Sequence, residues 1–113
     1  MTTAALEAAL VEAGYQTTVV DDYVTFPYVV PVGGLAGEQV TVGLSAPDFP
    51  VIPPGGVHLR PRIHHPGDKA HHASPLGPDW IYWSRPAAHW ANTTRTIDDY
   101  LAHLRKLFTQ FEN

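Results

Sequence analysis

A chain of 113 residues, 44% hydrophobic and 16% charged, is sized for one globular domain spanning 1–113 and is too apolar for a disordered tail. A net charge of −4 without any lysine- or arginine-rich run excludes electrostatic capture of nucleic acid. Zero cysteines exclude a disulfide, a thiolate metal site and a cysteine nucleophile.

No stretch approaches the ~20 apolar residues needed to cross a bilayer. The first residues lack a charged start followed by an apolar run. The expectation is a cytoplasmic protein with no membrane partner.

In chain order, the spacing of Leu6, Leu10 and Ala13 predicts a helix over 3–13, capped by Thr2 or Thr3 and ended by Gly14. Residues 15–20 and 23–30 are rich in β-branched and aromatic side chains and predict two strands joined by an Asp21-Asp22 turn. Pro27 assigns the middle of the second run to an edge or a bulge. Val40, Val42 and Leu44 alternate and predict a third strand over 38–45, and Val57 begins a fourth. Prolines and glycines from 63 to 78 predict irregular structure, followed by the aromatic cluster Trp80-Ile81-Tyr82-Trp83.

The last element is a helix over 97–111. Ile97, Leu101, Leu104, Phe108 and Phe111 recur at helical spacing, and Thr96 with Asp99 forms a capping-box pattern. The fold class is therefore α+β: N-terminal helix, antiparallel meander of three to four strands, irregular loop, C-terminal helix.

The middle of the chain carries a sharper pattern. Phe49-Pro50-Val51-Ile52-Pro53-Pro54 precedes the strand begun by Val57, and Ile63-His64-His65-Pro66-Gly67 follows it. Three prolines fix φ and remove amide donors, so the chain passes rigidly from one strand to the next. This arrangement resembles the ubiquitin-conjugating (E2, UBC-like) superfamily, with its Tyr-Pro-x-x-Pro-Pro turn and His-Pro-Asn tripeptide. Phe49 stands for the tyrosine and Gly67 for the asparagine. Trp90 before the last helix is similar to the tryptophan of that fold. Trp83-Ser84-Arg85 with Trp90 looks like the ends of bacterial E2-like families.

The resemblance implies a UBC-like fold in a bacterial ubiquitin-like conjugation or deconjugation system. Its implied partners are a ubiquitin-like protein, a ThiF-like activating enzyme (E1-like) or a JAB-type peptidase. At the position of the family's nucleophilic cysteine this chain has Ser74 and Pro75. A serine hydroxyl without an adjacent base is a poor nucleophile. The implied class is thus the inactive variants: a module that binds without carrying, with no cofactor. Two partner-facing patches are expected, the proline turn with Trp83, Ser84 and Arg85, and the exposed side of the first helix with Glu7 and Glu12.

Two other readings come from one loop, where His64, His65, His71 and His72 crowd together. His64, His71, His72 and Asp68 are candidate metal ligands, since imidazole suits zinc and nickel. Ser74 with His71 or His72 and Asp68 would form a hydrolase triad, although no nucleophile-elbow motif accompanies it. A third reading is an RWD-like scaffold of the same fold, unconnected to ubiquitin.

Overall fold

The computed structural model describes residues 4–66, 71–84 and 87–111, and of His71 and His72 the backbone alone. Helix α1 (Ala4–Glu12) leads into strands β1 (Thr18–Val20), β2 (Tyr23–Val29), β3 (Gln39–Leu44) and β4 (Val57–Arg60). Strands β5 (His71–Ala73) and β6 (Ile81–Trp83) follow, then a 3-10 turn at Trp90–Asn92 and helix α2 (Ile97–Phe108). One sheet holds all six strands in the order β1-β2-β3-β4-β6-β5, and every neighbouring pair is antiparallel.

This is the expected α+β class with a helix at each end. The sheet is larger than the three or four strands the sequence suggests, because β5 and β6 extend it beyond β4. Both are three residues long, too short to show a period, and β5 lies inside the segment expected to be irregular.

Helix α1 ends as its sequence anticipates. Gly14 takes φ +101°, its N–H donates to the Val11 carbonyl, and the Tyr15 N–H donates to the Leu10 carbonyl. That bond pair satisfies two orphan carbonyls of the last turn. The proposed caps Thr2 and Thr3 lie outside the described residues.

Helix α2 starts at the Thr96–Asp99 capping box, with both reciprocal bonds formed. Its far end is closed by other parts of the chain. Gly34 N–H donates to the Phe111 carbonyl, and His65 bonds the Leu107 carbonyl. Gly33 sits at φ +78°, and a Cβ there would land on the Phe108 carbonyl oxygen, so only glycine brings this loop so close.

Fully burying a large apolar side chain is worth about 1.5–3 kcal/mol. Helix α2 buries Tyr100, Leu104, Leu107 and Phe108, whereas α1 buries Leu6 and Leu10. The C-terminal helix is therefore the more firmly held of the two. Ile97 and Leu101 are only half-buried at the edge of this contact.

Alternation sorts the sheet into two faces. Val24, Phe26 and Tyr28 of β2 register with Leu44, Val42 and Val40 of β3, and all join the helices in one core. Val57, Leu59, Ile81 and Trp83 continue this face across β4 and β6. The ring of Phe108 meets those of Tyr28 and Trp83, at centroid distances of 5.7 and 5.5 Å.

On the opposite face one register row runs across the sheet through Thr18, Thr25, Gly43, His58, Tyr82 and the backbone of His72. Residues 74–80 fold over this row. A Cβ on Gly43 would come within 2.7 Å of the Leu76 side chain and 3.4 Å of the Trp80 ring. Trp80 is buried there, with the Arg60 guanidinium 5.1 Å from its ring centroid. Pro27 falls beyond the reach of β1, where β2 is locally an edge strand and no ladder donor is missed.

Candidate functional site

The proline turn is built on a short series of tight turns. Phe49 N–H donates to the Ala46 carbonyl, and the Val51 and Ile52 N–H groups donate to that of Asp48. The Phe49–Pro50 peptide is cis. Phe49 is buried against the Trp90 ring, centroids 5.9 Å apart, and Trp90 Nε1 donates to the Pro50 carbonyl at 2.8 Å. Pro54 is buried and Pro53 half-buried. The backbone is thus pinned from inside while Val51 and Ile52 point outward, 67% and 54% exposed.

Beside the turn a groove of about 540 Å³ runs between α1 and the start of α2. Ala5, Ala9 and Glu12 form one wall, Phe49 and Pro50 another, and Ile97 lies at its end. The proline turn is therefore contiguous with the Glu12 side of the first helix. Glu7 is partly occupied within the fold, accepting a hydrogen bond from Thr17 at 3.2 Å.

His65 is 3% exposed, and its Nε2 donates to the Leu107 carbonyl oxygen at 2.8 Å. Its ring meets Trp83 and Phe111 edge-on, at 5.1 and 5.5 Å. This residue ties the loop after β4 to the end of α2. His64 and Pro66 are exposed. Gly67 and Asp68 lie outside the described residues.

Trp83 requires a correction. The sequence offers it as a partner-facing residue, but it is wholly buried, with Nε1 donating to the Ile63 carbonyl at 2.7 Å. The cause is strand alternation: in β6, Ile81 and Trp83 face the core and Tyr82 the other way. Ser84 is half-buried and Arg85 lies outside the described residues.

Ser74 also has a partner that sequence reasoning passed over. His58 Nδ1 lies 2.7 Å from Ser74 Oγ, and the Leu76 N–H donates to the same oxygen at 3.1 Å. Ser74 Oγ still has a proton to give and a second lone pair, so the direction of its bond with Nδ1 follows the His58 tautomer. The signal was available in the alternation of Val57-His58-Leu59, which turns His58 away from the core.

The bond looks like a nucleophile and its base, but the electrostatics oppose that role. Burial lowers the His58 pKa from 6.5 to about 4, so the imidazolium that a working base must become is disfavoured. Among the described residues no carboxylate bonds the ring to stabilise that charge. The pair is a neutral strut that holds the segment after β5 against β4. Pro75, the other counterpart of the family's cysteine position, is exposed.

Among the described residues no group of three or more potential ligands is placed to hold a metal ion. Of the metal candidates, His64 is described and exposed, Asp68 lies outside, and only the backbones of His71 and His72 are placed. No protein family, curated protein or solved structure matches the chain.

Proposed function

We propose that this chain is a non-catalytic, UBC-like binding module of a bacterial-type ubiquitin-like conjugation or deconjugation system. Its surface engages a ubiquitin-like protein, a ThiF-like activating enzyme or a JAB-type peptidase. The observation that carries this reading is the proline turn: backbone locked by Trp90, with Val51 and Ile52 held in solvent. Exposed aliphatic side chains on a rigid turn bind with little ordering cost, which is how a preorganised surface gains affinity.

Three further features support it. The element order, from helix through meander and proline turn to the His-Pro loop, Trp90 and the last helix, is the order the resemblance implies. The groove beside the turn joins it to the first helix, giving one continuous surface. No thiol exists, and the one described serine–histidine bond is poorly suited to base catalysis.

The test is reconstitution with an activating enzyme, ATP and a ubiquitin-like protein encoded beside this chain. The chain co-purifies with one of these proteins or with the peptidase, and intact-mass analysis finds no covalent adduct. A hydroxide-sensitive ester on Ser74 would replace the non-catalytic reading with an oxyester mechanism.

A further inference from the structure

A second cavity, of about 330 Å³, opens on the face of the sheet opposite the helices. The proposed protein-binding role makes no use of it. Tyr23, His58 and Tyr82 line it, with Ser45, the Gly55-Gly56 pair and Pro75 completing the wall. Tyr82 lies within 30° of the His58 ring plane at 4.6 Å, and Tyr23 stands at 82° to His58 at 4.9 Å. Three aromatic rings thus pack together at the cleft, with His58 in contact with both tyrosines.

Its position is fixed by the backbone. A Cβ on Gly56 would come within 2.6 Å of the Tyr82 ring and 2.7 Å of its hydroxyl, so the glycine lets the ring press against the chain. The Ser74 bond holds His58 in place.

The chemistry of the wall selects a ligand. Among the described residues no charged side chain lines the cavity, so none of them offers a phosphate or carboxylate a counter-ion. Asp21 and Asp22 stand next to Tyr23 in the chain, and after burial their carboxylates help raise its pKa, so negative charge lies at this side of the cleft. Aromatic faces carry negative potential and attract cations, most strongly those that shed water easily. The volume is near the lower end of the ~300–1,000 Å³ typical of ligand pockets, room for a small head group.

We propose that this cleft binds a trimethylammonium group, carried by a choline-like small molecule or by a trimethylated lysine side chain. The inference stands apart from the proline turn, and either can fail without the other.

The test is a calorimetric or NMR titration of the full chain with choline, its neutral isostere 3,3-dimethylbutan-1-ol, and a short peptide containing trimethyllysine. Choline binds about fivefold or more tighter than the isostere, as expected where a cation–π term adds to apolar contact. Tyr82→Leu and Tyr23→Leu each weaken choline binding by about fivefold, whereas Tyr82→Phe keeps most of it because the ring remains. Circular dichroism of each variant confirms that the fold persists, and Tyr82→Phe serves as the folded comparison. Tighter binding of the peptide than of choline assigns the group to a protein; the reverse assigns it to a free metabolite. Equal binding of choline and the isostere, or binding of neither, overturns the proposal.

Discussion

Trp90 Nε1 donates to the Pro50 carbonyl oxygen at 2.8 Å, joining residues 40 apart in sequence. The bond fixes the proline turn from the side of the 3-10 turn, and the Phe49 ring closes the contact. Replacing Trp90 with Phe keeps an aromatic body but removes the donor. Pro50 is exposed, so water can partly replace the lost bond. The expected loss is about 1 kcal/mol, read as a lower urea midpoint with an unchanged slope. Trp90→Ala removes the ring as well and costs about 3–5 kcal/mol.

His58 makes stability depend on pH in a defined window. Its folded pKa, lowered by burial to about 4, lies below the unfolded value of 6.5. Between these values the unfolded chain takes up a proton that the folded chain refuses. Stability is therefore full above pH 6.5, falls as pH drops toward 4, and ceases to fall from this source below 4, with a slope of at most about 1.4 kcal/mol per pH unit. Asp99 acts in a separate range. Bonds from Thr94 and then Thr96 hold its pKa below 3.8, so its contribution disappears only at more acid pH. The His58→Gln variant is expected to flatten the curve between pH 6.5 and 4, and an NMR titration should place the His58 midpoint near 4.

Tyr100 is wholly buried on α2, and its hydroxyl has no hydrogen-bond partner among the described residues. Burial pushes its pKa far up, which reflects how dry the site is. An unsatisfied buried hydroxyl costs about 1–3 kcal/mol, so Tyr100→Phe removes a penalty without opening a cavity. The variant is expected to be more stable by about 1 kcal/mol, measured as a higher denaturation midpoint.

Sequence pattern located what depends on neighbours along the chain. Helix α2 was legible from its apolar spacing and the Thr96–Asp99 box, and Gly14 from the need for a left-handed residue after α1. Phe49, Pro50 and Trp90 all belong to the motifs that carry the resemblance, and they are in contact in the fold. What stayed hidden depends on pairing across the sheet. Strands β5 and β6 exist because β6 pairs with both β4 and β5, and three residues show no period alone. Trp83 reads as an exposed anchor until β6 is known, because strand direction decides which of Tyr82 and Trp83 turns inward. The covering of His58 by residues 74–80 leaves no mark on the local pattern. That covering is tertiary information carried by Gly43, Leu76 and Trp80.

Val51 and Ile52 are the side chains through which the proposed binding to a protein partner would run. The direct measurement is a calorimetric titration of the ubiquitin-like protein, the activating enzyme and the peptidase into the wild-type chain and into a Val51→Asp, Ile52→Asp double variant. Both side chains are in solvent, so the variant should keep the wild-type circular dichroism spectrum. The expected result is saturable binding of at least one partner by the wild type, and binding at least about tenfold weaker, roughly 1.4 kcal/mol, in the variant. Equal affinity in the two proteins, or no binding of any of the three at roughly tens of micromolar, the range of transient complexes, would contradict it.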